Sequence, residues 1–281
     1  MNLFSIETGN FKLDGGAMFG VVPKSLWEKT NPADNKNRID MSARCLLIED
    51  GKKLILVDAG LGDKQSEKFF SHYSRWGDRT LVDSLKAEGF SPDDITDVFF
   101  THLHFDHCGG ATKREGGKIV PTFKNAKFWC SKGHWEWATV SPNPREKASF
   151  LEENLQPIKE SEQLNLFDSN NDGFCPDLGF DLLLFDGHTE KMALPKIKYK
   201  NKTILFSSDL VPTAGHIPIP YLMGYDIRPL VTMGEKERVL QSAVKNNVLL
   251  FMQHDPHNEL VVLKNTEKGV RFDRSTSLKQ L

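Results

Sequence analysis

Thr101-His102-Leu103-His104-Phe105-Asp106-His107-Cys108-Gly109-Gly110 places three of the chain's nine histidines within six residues, directly after the apolar run 98–100. A short apolar run bounded by polar residues reads as a strand in a covered sheet. If the backbone stays extended past Phe100, His102 and His104 project to the same side, while Asp106 and His107 fall where the chain turns. One loop can therefore offer donors to two neighbouring cation sites. Imidazole and carboxylate without thiolate suit Zn²⁺, and also Mn²⁺, Fe²⁺ or Co²⁺, so the donor types leave the metal open.

Further apolar runs of strand length lie at 45–48, 54–57, 182–185, 203–206 and 248–252. The first two are joined by Glu49-Asp50-Gly51-Lys52-Lys53, whose Asp-Gly pair predicts an antiparallel hairpin. Helical patterns fall at 80–88, stopped by Gly89, and at 143–154 and 234–245. Ser91-Pro92-Asp93-Asp94 combines an N-cap, a proline at the first helical position and two acids that suit the helix dipole, so a capped turn leads into the strand at 98–100. A length of 281 residues would suggest two domains at roughly 150 each. Neither a repeat nor a linker marks a boundary, and the single domain expected over residues 1–281 rests on the motif series below, whose members from His102 to His254 must converge on one site. Residues 141–173, polar and punctuated by proline, read as a helical insertion or lid on that domain.

Charge and composition exclude several classes. Lys and Arg total 36 against 38 Asp and Glu, and no basic block breaks that balance, which argues against a nucleic-acid partner. No apolar run approaches the ~20 residues of a bilayer span, and the amino-terminal stretch MNLFSIETGNFKLDGG lacks the features of a signal peptide. A cytoplasmic protein with a small-molecule substrate is expected, and a homodimer is compatible with the sequence. Four cysteines, far apart and without a CxxC pair, read as thiols.

The HxHxDH series, preceded by Val57-Asp58-Ala59-Gly60 and followed by Gly109-Gly110, resembles the metallo-β-lactamase superfamily of metal-dependent hydrolases. Family-like motifs follow in order, each after an apolar run: Asp186-Gly187-His188-Thr189, Ser208-Asp209 and His254-Asp255. The resemblance extends over about residues 45–255. It implies an α/β (α+β) fold, an αββα sandwich with two divalent ions at one edge of two packed sheets. By the same resemblance His102, His104 and His188 hold one ion, Asp106, His107 and His254 hold the other, and Asp209 bridges them. Asp58 matches an aspartate that supports the metal loop by orienting a ligand histidine. His72, His134, His216 and His257 lack such motifs and read as surface or core residues, His216 standing nearest to the bridging aspartate.

The implied chemistry is hydrolysis by hydroxide generated at neutral pH from water between two ions, zinc first, with manganese, iron or cobalt as alternatives. Asp106 and Asp209 are the carboxylates in position to act, Asp106 by orienting the nucleophile or returning a proton to the leaving group. The resemblance is closest to the group that holds acyl-homoserine lactonases and organophosphate hydrolases, so the leading substrate is a lactone or ester of a small, fairly hydrophobic molecule. Phosphotriesters, aryl esters and thiolesters are the alternatives, as is a metal-holding scaffold without turnover. One departure stands out: lactonases of this group carry a tyrosine three residues beyond the bridging aspartate, and this chain has Pro212. Tyr221, Tyr225, His216 or the metal alone would then assist the substrate oxygen, with Met18, Phe19 and Phe105 supplying apolar contacts. The absence of Lys and Arg over residues 210–225 argues against a nuclease.

Overall fold

In the computed structural model, which describes residues 1–281, the chain divides into two compact units whose segments alternate along the sequence. The first comprises residues 1–9, 43–171 and 191–193, and the second residues 10–42, 172–190 and 194–281. Because each unit is assembled from separate stretches, no linker marks the division.

The strands of the first sheet begin with β1 (Asn2–Asp14) and β2 (Arg38–Asp50). Gly51, at φ 63°, then turns the chain into β3 (Lys53–Val57), with Asp50 opposite Lys53, the antiparallel hairpin that the Asp-Gly pair predicts. Next come β4 (Asp97–Phe99), a separate hairpin of β5 (Thr112–Glu115) and β6 (Lys118–Pro121), then β7 (Lys127–Ser131) and β8 (Leu164–Phe167). The six-stranded order is β1-β2-β3-β4-β7-β8, and β3, β4, β7 and β8 run parallel. Parallel strands are covered on both faces, which is why Leu56, Val98, Phe100 and Phe128 are all fully buried in one apolar core.

Residues 141–173 differ from the insertion read in the sequence. The helix expected over 143–154 does not start at Asn143, because the Asn143 Oδ1 accepts from the amides of Arg145 (2.9 Å) and Glu146 (3.2 Å) and holds a turn. A single 3-10 turn, Lys147–Ser149, precedes the helix Glu152–Glu160, and β8 then joins the sheet beside β7. The stretch carries one helix and supplies a strand to the sheet.

The second sheet holds β9 (Gly173–Cys175), β10 (Phe180–Phe185), β11 (Met192–Tyr199), β12 (Lys202–Phe206), β13 (Val248–Phe251), β14 (Leu260–Thr266) and β15 (Gly269–Thr276). Their order is β15-β14-β13-β12-β11-β10-β9, with β12 and β13 parallel and their Phe206 and Phe251 rings stacked 5.4 Å apart. The helix expected from Gly234 begins earlier, at Pro229, and runs to Lys245, because proline is pre-organised for the first helical turn. It buries Val239, Leu240 and Ala243, and also Lys236, whose Nζ donates to the carbonyls of His216 (3.0 Å), Pro218 (3.1 Å) and Tyr221 (2.7 Å). That ammonium pins the loop beyond Asp209. No helix is long and apolar enough to cross a membrane. All four cysteines are free, Cys45, Cys108 and Cys130 being buried.

Gly109 and Gly110 are required by close backbone approach. A Cβ on Gly109 would stand 2.0 Å from the Leu61 carbonyl oxygen, and one on Gly110 2.2 Å from that of Ala59. This proximity lets the loop after β3 clasp the histidine loop, through Ala59 N to His107 O (2.7 Å) and Gly110 N to Gly60 O (3.0 Å). Gly110→Ala should therefore lower stability by about 1–3 kcal/mol, since backbone cannot yield as a side chain can. An unchanged urea midpoint would contradict this packing account.

Candidate metal centre

In the first unit the donors follow β4. Past Phe99 the chain bends at Thr101 and again at His104, then winds one helical turn over Phe105–Cys108, which places Asp106 and His107 on the turn. The loop is held from beneath by Asp58, which leaves β3 at φ 59°. Its buried carboxylate accepts from the Thr101 amide (2.8 Å), the Thr101 hydroxyl (2.8 Å) and His107 Nδ1 (2.9 Å). A hydroxyl has one proton to give. With that proton on Asp58, Thr101 Oγ1 accepts from His102 Nδ1 at 3.1 Å, and His102 Nε2 is left as an acceptor. His104 Nε2 donates to Glu146 Oε1 (2.9 Å), which makes Nδ1 its acceptor nitrogen. These two acceptor nitrogens face each other at 3.0 Å. Such an arrangement is repulsive without a positive charge between them, and a shared cation satisfies it. His107 Nε2 likewise lies 3.7 Å from Asp106 Oδ1. His134, buried, accepts from the Leu103 amide through Nε2 (2.9 Å) and so braces the loop.

In the second unit, β10, β12 and β13 end at the same edge of the sheet and are followed by His188, Asp209 and His254. The peptide before His188 is tied down by Glu235, which accepts from the amides of Asp186 (2.7 Å) and Gly187 (3.1 Å). Ser208 takes φ 41°, a left-handed conformation costly for a residue with a side chain, immediately before Asp209. His188 Nδ1 donates to Asp226 Oδ1 (3.0 Å), and its Nε2 faces Asp209 Oδ2 at 3.1 Å. His254 Nδ1 donates to the Ser42 carbonyl (2.8 Å), and its Nε2 faces Asp209 Oδ1 at 2.9 Å. Asp209 thus presents one oxygen to each imidazole. Burial pulls the His188 pKa down, but the Asp209 and Asp226 carboxylates outweigh it and push it up to about 10. Positive charge is strongly favoured at that point.

Each set fits a metal. Two donors about 2.0–2.2 Å from one tetrahedral ion stand ~3.4 Å apart, close to the separations seen in both units. Asp255 has a different role from its neighbour His254: its carboxylate accepts from the amides of Ala214, His257 and Asn258, all at 2.9 Å, and closes a loop.

The apolar and polar contacts suggested for substrate are partly corrected. Phe19 is fully buried, stacked on Trp27 (5.2 Å between ring centres) and on His216 (4.1 Å), and Met18 is buried beside it. His216 pairs Nδ1 with Thr213 Oγ1 (2.8 Å) and donates from Nε2 to the Met18 carbonyl (2.9 Å), so both nitrogens are engaged. These three residues are buried in the core; nearness to Asp209 singled out His216 and apolar character singled out Met18 and Phe19, and neither signal carries information about burial. Phe105 packs against Phe69 (5.4 Å) and Tyr73 (4.7 Å), Tyr221 is half-buried, and Tyr225 is exposed. Glu146, Asp226, Glu235 and the Ser42 carbonyl were missed, since none belongs to a local motif.

The chain belongs to the metallo-beta-lactamase superfamily, whose family model matches residues 39–254. Its structure is similar to that of a probable metal-dependent hydrolase from Staphylococcus aureus, with a TM-score of 0.87 and 28% identity over 98% of this chain and 96% of that one. It is also similar to AidC, a dizinc quorum-quenching lactonase solved with its product N-hexnoyl-L-homoserine, with a TM-score of 0.77 and 25% identity over 98% and 94% of the two chains. An N-acyl homoserine lactonase of Bacillus cereus is 31% identical over 84 residues, which are 26% of this chain, so this chain spans about a third (34%) of that relative's length. The α/β fold class expected from the sequence is that of the family.

Burial lowers the His216 pKa to about 3, well below the ordinary value of 6.5. Above pH 6.5 both folded and unfolded chains hold this ring neutral. As the pH falls toward 3 the unfolded chain gains a proton that the folded chain refuses, so stability is lost by up to ~1.4 kcal/mol per pH unit. His216→Phe should flatten the acid limb of stability between pH 6.5 and 4.5 in urea titrations. A slope equal to wild type would contradict the assignment.

Proposed function

We propose that residues 1–281 act as one dinuclear metal-dependent hydrolase domain that opens a lactone or ester bond in a small, fairly hydrophobic substrate. In this reading His102, His104 and His188 hold one ion, Asp106, His107 and His254 hold a second, and Asp209 bridges them. The observation that carries it is the Asp209 carboxylate, which offers one oxygen to His188 and the other to His254, as a ligand shared by two cations does. Family membership and the dizinc lactonase named among its structural neighbours support zinc as the metal and a lactone as the substrate. The protein is read as cytoplasmic.

When bound, the two cations would supply acidified water as nucleophile at neutral pH and polarise the scissile carbonyl. The chain's own residues do the rest. Asp106, buried on the helical turn after His104, orients the attacking water and returns its proton to the leaving oxygen. Asp58 keeps His107 and, through Thr101, His102 in the tautomers that turn Nε2 toward the ions. Phe105, with Phe69 and Tyr73, makes an aromatic wall suited to a neutral apolar group. Tyr221 or Tyr225 donates to the substrate oxygen where Pro212 replaces the lactonase tyrosine.

Asp209→Ala should reduce turnover at least about a thousandfold and lower bound zinc below two per chain, with the far-UV circular dichroism unchanged. Retained turnover would contradict the mechanism. In a panel of N-acyl-homoserine lactones, aryl esters, phosphotriesters and S-lactoylglutathione, the lactones should turn over fastest. Activity on the glutathione thiolester alone would overturn the substrate assignment.

A further inference from the structure

We propose that Glu146 is a positioning residue, which fixes His104 and strengthens it as a metal donor, and that this is the purpose of the turn at residues 141–149. The proposal rests on the dinuclear reading above. Glu146 is buried, and each of its oxygens has a defined partner. Oε1 accepts from His104 Nε2 at 2.9 Å, and Oε2 accepts from Trp137 Nε1 at 2.8 Å and Asn143 Nδ2 at 3.1 Å. The turn that delivers it is held by the same Asn143, through its Oδ1 and the amides of Arg145 and Glu146. The Phe150 ring, 5.2 Å from the His104 ring, covers the imidazole from the same stretch of chain.

Three side-chain hydrogen bonds, from His104, Trp137 and Asn143, hold this carboxylate in the interior. A buried carboxylate is costly, but an amide of the same shape that accepted from His104 would turn its NH2 toward the N–H groups of Trp137 and Asn143. The carboxylate satisfies all three donors and in addition gives the imidazole N–H an anionic acceptor, which makes the opposite nitrogen a stronger donor. His102 and His254 make do with a neutral hydroxyl and a backbone carbonyl. His104 is backed by a full charge, and its acceptor nitrogen faces that of His102.

Zinc affinity should be measured by chelator competition on wild type, Glu146→Gln and Trp137→Phe, together with the visible spectrum of the cobalt-loaded proteins. Glutamine can still accept the N–H but carries no charge, so Glu146→Gln should bind one of its two ions about 10–100-fold more weakly and shift the cobalt bands. Trp137→Phe, which removes a donor to Oε2 and leaves the carboxylate in place, should weaken the same ion by a smaller factor, and it decides the matter if the glutamine variant does not fold. Wild-type affinity and an unshifted spectrum in the folded variants would overturn the role of Glu146 while leaving the dinuclear reading intact. Fewer than two ions on the wild-type protein would overturn both.

Discussion

A neutral imidazole has two nitrogens and one proton, and when the ring is buried that proton needs an acceptor. Whichever nitrogen donates, the other is committed to be an acceptor, and a metal ligand is an acceptor held in place. The histidines of the proposed centre are governed in this way, His188 once a cation takes the place of the second proton that Asp209 and Asp226 favour. His102 donates to the Thr101 hydroxyl, His104 to Glu146, His107 to Asp58, His188 to Asp226 and His254 to the Ser42 carbonyl. The ligand set follows from where those acceptors sit.

Their placement follows from the sheets. In the first unit Asp58, the histidine loop and His134 leave the carboxyl ends of β3, β4 and β7, which run parallel, so residues remote in sequence emerge at one edge. The Gly109-Gly110 pair permits the backbone contact that binds the loop after β3 to the histidine loop. In the second unit strain performs a similar service: Ser208 sits at φ 41° so that Asp209 can turn its carboxylate between two imidazoles. Lys236 then ties down the chain beyond it through three carbonyls. The apolar cores on either sheet are what hold such conformations in place.

The candidate donors could be picked out in the sequence because each follows a recognisable apolar run or lies within the dense HxHxDH series. The strands were legible for the same reason, and Gly51 marked the hairpin correctly. What the sequence hid is what long-range folding supplies. Glu146 is 42 residues from His104, Asp226 is 38 from His188, and the Ser42 carbonyl is 212 from His254, and no local pattern signals such pairs. The turn at Asn143 resembled a helix because its residues are helix-compatible, until the side-chain amide captured two backbone N–H groups. Met18 and Phe19 were read as substrate contacts from their apolar character and His216 from its position after Asp209, neither of which reports burial; Phe19 stacks on His216 and Met18 is buried beside them.

The central claim is that Asp209 is shared by two cations. Anomalous diffraction from zinc-loaded crystals tests it most directly. The account predicts two peaks ~3.5–4 Å apart, one bonded by His188 on the Oδ2 side of Asp209 and the other by His254 on the Oδ1 side. A single peak, or density that leaves the Asp209 carboxylate bound only to histidine, would contradict it.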